Sequence, residues 1–291
     1  MCFDWFTKNN CNYIVKMYVY CQPGSGFNDI ISMIGRAIEY SKQTNRILLI
    51  NTCNNRTYKI NFSDFFSFSN ENVVCDTNQI RNIFTSNTRL TVYPSMFKDK
   101  LLDMVNEKYL IDNDIHLNED KRDENVIIYQ KSGGIYGYTI FKELMIQPTI
   151  QLICNERYNR LKMPYLCIHI RNTDYKCNYE ELYKKHKDEI HSANEIYIAT
   201  DDKSAIDFFK LKELPIQNFT TFPETSYYNL HRSDINSNTK MTDLLSDIYI
   251  IGMSDKLLSN SKGLFITLVR SCNKNKDRLI EQYNYKVQLS V

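Results

Sequence analysis

The stretch Cys167-Ile168-His169-Ile170-Arg171-Asn172-Thr173-Asp174-Tyr175 decides how this chain folds. The apolar run at residues 165–170 is typical of a buried strand, and it ends abruptly in charged and polar residues. His169 and Arg171 point to the same side of an extended chain, at the strand end where α/β proteins bind ligands. A guanidinium holds two phosphate oxygens at once, so Arg171 suits a leaving group such as a sugar-nucleotide diphosphate. The alternative is that Arg171 and Asp174 form an ion pair with a purely structural role at the strand end.

Strands and helices alternate on both sides of this stretch, and alternation of this kind predicts parallel sheets. The predicted strands are residues 13–20, 46–50, 126–129, 165–170, 195–199 and 256–259. The predicted helices are one that follows Asn28, one near 96–108, and residues 138–161, 179–191, 204–211, 241–253 and 263–272. We therefore expect an α/β fold with two Rossmann-like domains, at residues 1–160 and 161–291, that face a central cleft.

Composition disfavours several classes of protein. The 291 residues carry a net charge of +2, with basic and acidic side chains intermixed, so no nucleic-acid partner is expected. The nine cysteines are odd in number and form no C-x-x-C pair, which favours reduced thiols in a cytoplasmic compartment. No apolar run has the length of a membrane span. Glycosylation sequons at Asn55, Asn61 and Asn218 are expected to be unused, because no signal peptide precedes them.

A glycine turn, Gly24-Ser25-Gly26-Phe27-Asn28-Asp29, follows the first predicted strand and opens a helix that Asn28 is expected to cap. Bare backbone at such a turn lets amides approach an anion or a sugar. The turn is not a dinucleotide fingerprint, because it lacks the third glycine and because Asn51 stands where an acidic residue would end the next strand. A tight turn that binds nothing is the alternative.

Three further polar clusters lie at the ends of predicted elements. Thr200-Asp201-Asp202 ends a strand and either faces a ligand or caps the next helix. Asp243 and Asp247 are four residues apart on one helical face, where a carboxylate accepts from a nucleobase or ribose, or simply complements the helix dipole. Ser259-Asn260-Ser261 leads into a helix whose N-terminus offers a second anion site.

The order of these segments resembles the GT-B fucosyltransferases that carry an H-x-R-R-x-D motif, a superfamily with α1,2-, α1,6- and protein O-fucosyltransferases. The glycine turn and residues 36–49 resemble its amino-terminal segment, and residues 169–174 resemble the motif itself. Residues 196–202 and 242–265 are similar to its second and third motifs. Asn172 stands where the motif has its second arginine, so fewer contacts to a diphosphate are expected. Residues 52–161 show no match, and we expect acceptor recognition there.

The resemblance implies an inverting, metal-independent transfer of fucose from GDP-fucose to a hydroxyl of a glycan or glycoconjugate, with no cofactor. It implies that Arg171 neutralises charge on the β-phosphate as the sugar–oxygen bond breaks, and that Asp243 accepts from guanine. His169 would contact the phosphate or ribose, and Asp202 would steady the turn beneath the donor. The donor-binding residues that the resemblance implies are Gly24, Gly26, Phe27, Asn28, His169, Asp174, Asp202, Asp243, Ser261 and Phe265.

An inverting transfer also needs a base for the acceptor hydroxyl. Glu180 follows the His-Arg segment close to where α1,6 members place a catalytic Glu, with Glu181 adjacent, and Asp29 would face the cleft from the other half. A solvated surface carboxylate is the alternative for each. Because of Asn172, transfer of another GDP-sugar stays open, as does a catalytically silent protein that binds a sugar nucleotide or a glycan. The missing fingerprint disfavours an oxidoreductase.

Overall fold

The computed structural model describes residues 16–68, 72–87, 89–106, 115, 117, 122–131, 133–134, 137–172, 176–224, 230 and 233–284. The strands are β1 (Tyr18–Pro23), β2 (Ile47–Ile50), β3 (Phe66–Ser67), β4 (Val73–Val74), β5 (Val92–Tyr93), β6 (Val126–Lys131), β7 (Met145–Ile146), β8 (Leu166–Ile170), β9 (Ile196–Thr200), β10 (Ile216–Gln217) and β11 (Lys256–Leu258). The helices are α1 (Phe27–Gln43), α2 (Thr77–Ser86), α3 (Leu101–Asn106), α4 (Tyr138–Phe141), α5 (Pro148–Asn159), α6 (Tyr179–Lys185), α7 (Lys187–Ser192), α8 (Lys203–Lys210), α9 (Ser237–Met253), α10 (Leu264–Lys274) and α11 (Lys276–Asn284). Short 3-10 helices span Phe62–Asp64 and Ser95–Lys100.

Two parallel sheets form the centres of two α/β lobes, as the alternation of strands and helices predicts. The first sheet has the order β4-β2-β1-β6-β5 and the second has the order β10-β9-β8-β11. Every strand pair in both sheets is parallel. The carboxyl ends of the strands in each sheet therefore lie at one edge, which is where the loops that could bind a ligand begin. The division of the chain between residues 160 and 161 stays a prediction.

One apolar core runs through both lobes. It joins β1 and α1 of the first lobe to β8, α5, α9, α10 and α11, and its buried members include Ile34, Cys154, Tyr249 and Tyr283. The rings of Tyr249 and Tyr283 stack with centroids 4.6 Å apart. Each fully buried apolar side chain contributes roughly 1.5–3 kcal/mol. Because this core is shared, it holds the two lobes together.

The structure differs from the prediction mainly between residues 52 and 161. The single helix expected at 138–161 is two helices, α4 and α5, separated by β7. That strand pairs antiparallel with β3, in the register Phe66↔Ile146. The rings of Phe62 and Phe66, which stack at 4.6 Å, anchor this small sheet. The helix expected near 96–108 begins as a 3-10 turn before α3, and residues 107–108 lie outside the described ranges.

Two smaller observations concern cysteines and membranes. Within the described ranges all seven cysteines are free thiols; Cys2 and Cys11 lie outside those ranges. Of the helices that the structure describes, none combines the length and the apolar character needed to cross a bilayer.

Candidate active site

A cavity of about 800 Å³ lies between the carboxyl-end loops of the two sheets. Residues 25–29 and 56–58 form its wall on the first lobe, and residues 169–171, 199–201 and 263–265 form its wall on the second. One face of α9 lines it as well. Ligand pockets typically measure about 300–1,000 Å³, so the volume suits a molecule as large as a nucleotide sugar.

The glycine turn brings the start of α1 to this cavity, but not by the predicted cap. Helix α1 begins at Phe27 with Gly26 as its N-cap, so the prediction that Asn28 caps it is wrong. Asn28 lies inside the first turn, where its side-chain oxygen accepts from the Gly137 N–H at 3.1 Å. Gly26, Phe27 and Asn28 line the cavity, whereas Gly24 is buried and donates to the Lys131 carbonyl at 2.9 Å.

Asp29 is a half-buried carboxylate on the first-lobe wall. Burial raises its pKa, while hydrogen bonds from the backbone of Gly134 and Gly26 and the charge of Arg171 act in the opposite direction. Only glycine fits at 134, since a Cβ there would lie 1.9 Å from Ser32 Oγ and 2.8 Å from the Asp29 Cα. Asp29 is thus fixed in place and lies within electrostatic range of Arg171 across the cleft. A carboxylate with a raised pKa suits the role of a general base.

His169 is buried at the end of β8 and lines the opposite wall. Ser259 Oγ donates to the His169 carbonyl at 2.8 Å, so it accepts from His169 Nδ1 at 3.2 Å. This assigns the proton to Nδ1 and leaves Nε2 as an acceptor. Burial, followed by the charges of Arg171 and Arg270, lowers the pKa of His169 to about 3, so the ring is neutral. Phe265 also lines the cavity and packs on this ring, with centroids 5.6 Å apart.

Arg171 follows His169 by two residues and reaches the same cavity. Its backbone N–H donates to Ser261 Oγ at 3.1 Å, which fixes the strand end that carries it. Ser261 itself is buried and is absent from the cavity wall, so its role here is to hold Arg171. Gly263, with a φ of +116°, turns the chain into α10 and brings the first turn of that helix to the cavity.

Asn172 and Asp202 tie strand ends together outside the cavity. The Asn172 side-chain amide donates to Asp202 at 2.6 Å, and its backbone N–H donates to Asp201 at 2.8 Å. Asp202 also caps α8 by accepting from the Ser204 N–H at 2.9 Å. Asp201 is the carboxylate of this turn that lines the cavity, and Asp202 lies behind it.

The face of α9 that lines the cavity carries Lys240, Asp243, Leu244 and Asp247. Their spacing of three and four residues places them on one stripe of the helix. Asp243 is buried, and its oxygens accept from Arg157 and from the Thr221 N–H, each at 2.8 Å.

Asp247 lies one turn further along α9. It accepts hydrogen bonds from the hydroxyls of Tyr197 and Thr220. Burial and the nearby Asp243 raise its pKa to about 7, against the opposing effect of the Tyr197 hydrogen bond. The stripe therefore presents two carboxyl groups to a ligand: Asp243 in an ion pair with Arg157, and Asp247, which is about half protonated near pH 7.

The remaining predicted residues lie elsewhere. Glu180 and Glu181 are exposed on the first turn of α6 and do not line the cavity. Asp174 lies outside the described residues. Four residues that line the cavity were not among the candidates from the sequence: Arg56, Thr57, Tyr58 and Lys240. Asp201 and Asp247, which the sequence offered as possible ligand contacts, line the cavity as well. Residues 56–58 could have been identified from the sequence, because they follow β2 and so lie at the same sheet edge as the glycine turn.

Comparison with solved structures locates this architecture among known folds. The fucosyltransferase NodZ from Bradyrhizobium is similar with a TM-score of 0.58 at 14% identity, over 88% of this chain and 93% of that one. NodZ α-1,6-fucosyltransferase co-crystallised with GDP gives 0.57 at 14% identity, over 88% and 92%. POFUT1 in complex with GDP-fucose gives 0.58 at 12% identity, over 92% and 95%.

No protein-family model matches the chain, and no curated protein matches it. At identities this low, the likeness is one of backbone architecture. The likeness nevertheless extends over 88–92% of this chain and 92–95% of the other chains. We conclude that this chain has the α/β GT-B fold of the fucosyltransferase structures.

Proposed function

We propose that this chain transfers fucose from GDP-fucose to a hydroxyl of a glycan or glycoconjugate, with inversion at the sugar carbon and without a metal ion. The observation that carries the proposal is the pair formed by Arg171 and Asp29, a fixed cation and a half-buried carboxylate on opposite walls of one cavity. A transfer of this kind needs those two groups, one for the leaving phosphate and one for the attacking hydroxyl. That NodZ was crystallised with GDP, and POFUT1 with GDP-fucose, supports the choice of donor.

The chemical step follows from this placement. As the bond between the sugar C1 and the β-phosphate oxygen breaks, negative charge accumulates on the phosphate, where the Arg171 guanidinium compensates it. The first turn of α10 adds the positive end of a helix dipole on the same wall. The acceptor oxygen forms the new bond to C1 from the opposite side, and its proton passes to Asp29. We propose Asp29 rather than Glu180 as the base, because Glu180 is exposed on α6 and away from the cavity.

The nucleoside would be recognised on the second lobe. Neutral His169 accepts at Nε2, so it suits a ribose hydroxyl rather than a phosphate oxygen. Asp243 and Asp247 face the cavity from α9 and suit the N–H groups of guanine. Each carboxylate oxygen in these two side chains has lone pairs beyond those its protein partners use.

The test is a nucleotide screen followed by a transfer assay. GDP at about 100 times its Kd should stabilise the fold by about 2.7 kcal/mol, seen as a higher melting temperature, while UDP and NAD should not. GDP should then be released from GDP-fucose in the presence of a glycan panel. Binding of GDP without release, across all acceptors and other GDP-sugars, would point to a silent binding protein. A melting temperature unmoved by GDP would refute the proposed donor.

A further inference from the structure

Position 172 does not supply a second cation to the cavity. The Asn172 amide donates to Asp202 at 2.6 Å and accepts from the Cys177 N–H at 3.1 Å, so both ends of the side chain are engaged. Its backbone N–H is engaged as well, with Asp201 at 2.8 Å. Asn172 is part of the scaffold that joins β8 to β9, and it is absent from the cavity wall.

A diphosphate carries two negative charges, and Arg171 provides one positive charge. Among the described residues, the other permanently basic side chains on the cavity wall are Arg56 and Lys240. Lys240 is buried and donates to the Ser233 carbonyl at 2.7 Å, and its electrostatic neighbours are Asp234 and Lys59. The hydrogen bond and the attractive charge near Lys240 thus come from the segment that carries Ser233 and Asp234, whereas Tyr58 and Asp29 interact with Arg171.

Arg56 lies on a loop that does approach Arg171. Tyr58, two residues further on, is buried at the cavity wall, and the charge of Arg171 lowers its pKa against a larger rise caused by burial. Asp29, on the adjoining turn, is also within range of Arg171. The wall that carries Arg56 is therefore the wall that faces the Arg171 guanidinium.

The loop that carries Arg56 is fixed before any ligand binds. Asn55 is 1% exposed, and its side-chain oxygen accepts from the N–H groups of Thr57 and Tyr58 at 2.7 and 2.8 Å. Its side-chain nitrogen donates to the Pro23 carbonyl at 2.8 Å, which ties the loop to the end of β1 beside the glycine turn. Arg56 is exposed between these anchored neighbours. A cation presented by a rigid loop loses little freedom on binding.

We propose that Arg56 is the second cation for the donor diphosphate, supplied by the first lobe in place of position 172. This inference rests on the proposed function. The donor would then lie between two guanidinium groups on opposite walls, and its diphosphate would bridge the lobes. A ligand that lacks phosphates gains nothing from Arg56.

Calorimetric titration of GDP and of guanosine into Arg56→Ala tests the inference, with Lys59→Ala as the matched control. Lys59 is an exposed cation on the same loop and does not line the cavity. Loss of a charge-assisted contact to phosphate should weaken GDP binding by about 10- to 100-fold. Guanosine affinity should stay within twofold of the native protein, Lys59→Ala should match the native protein with both ligands, and Arg56→Lys should recover part of the loss.

Three results would overturn the inference, and they are distinguishable. If the native protein binds GDP and Arg56→Ala binds it within twofold of the native affinity, Arg56 is not a phosphate-binding residue. The proposed donor is unaffected by that result. Absence of GDP binding by the native protein removes the proposed function and this inference with it. An equal loss of guanosine and GDP binding in Arg56→Ala also overturns it, because the residue would then be shaping the cavity and not holding phosphates.

Discussion

Asp247 couples the stability of this protein to pH. Its carboxyl lines the cavity within a mostly buried setting, and its pKa rises from 3.8 to about 7. The folded state therefore holds this proton more tightly than the unfolded state does. The resulting stabilisation is complete below pH 3.8 and is lost as the pH rises through about 7. A roughly thousandfold change in the protonation equilibrium corresponds to about 4 kcal/mol, and screening by solvent in the cavity reduces this to about 2–4 kcal/mol.

Asp247→Asn removes the titration while keeping the size of the side chain. The interval from pH 5 to 8 contains about two of the three pH units over which the stabilisation is lost. Over that interval the free energy of unfolding of the native protein should fall by about 1–3 kcal/mol more than that of the variant. Denaturant unfolding at several pH values measures this difference. Asp188→Asn, which changes an exposed carboxylate on α7, is the control and should follow the native profile. Parallel profiles for the native protein and Asp247→Asn would refute the reasoning.

The same titration should act on the donor with the opposite sign. An ionised Asp247 accepts hydrogen bonds from guanine better than a protonated one does. GDP affinity should therefore rise as the pH increases through about 7, over the range in which stability falls. In Asp247→Asn this rise in affinity should disappear. A native GDP affinity that stays flat from pH 5 to 8 would exclude Asp247 from base recognition.

Three further predictions concern the cleft. Arg171→Ala should abolish release of GDP from GDP-fucose while leaving the melting temperature near the native value, because it removes a charge and no core volume; near-normal turnover would contradict the assignment. Gly134→Ala should lower the free energy of unfolding by roughly 1–3 kcal/mol, measured with denaturant, since its Cβ would lie 1.9 Å from Ser32 Oγ; an unchanged value would show that the turn relaxes freely. Asn172→Ala should lower the free energy of unfolding by roughly 1–3 kcal/mol, because it leaves the partly buried Asp202 and the buried Cys177 N–H without this partner. Asn172→Arg should not tighten GDP binding in calorimetry; tighter binding would indicate that position 172 can supply the second cation.

The parts of the site that lie at strand ends could be predicted because two simple rules operate there. An apolar run of about five residues followed by charge marks the end of a buried strand, as at β8. Parallel pairing then brings the strand ends of each sheet to one edge of that sheet. Asp29 lines the cavity from the edge of the first sheet, and His169 and Arg171 line it from the edge of the second. Both rules depend only on local pattern and on the direction of strands.

Residues 52–75 could not be read in this way, because their pattern has no single period. The phenylalanines at 62, 65 and 66 have helical spacing and those at 66 and 68 have strand spacing, so the pattern favours neither element. They form a ring cluster around a 3-10 turn and a two-residue strand. Arg56 and Tyr58 enter the cavity on a loop whose shape depends on Asn55. The partner that fixes Asn55 to β1 is Pro23, 32 residues earlier.

The roles of the asparagine side chains are the hardest to predict from this sequence. Asn28 suggested a helix cap, Asn55 a glycosylation sequon and Asn172 a weakened phosphate grip. In the structure each of these amides bonds a backbone or side-chain group that lies 109, 32 or 30 residues away in sequence, respectively. An amide donates and accepts at once, so it fits many environments, and only its tertiary partner distinguishes them. A guanidinium or a carboxylate has fewer compatible environments, and for that reason Arg171 and Asp29 could be placed at the cavity from sequence, whereas the residues that hold its walls could not.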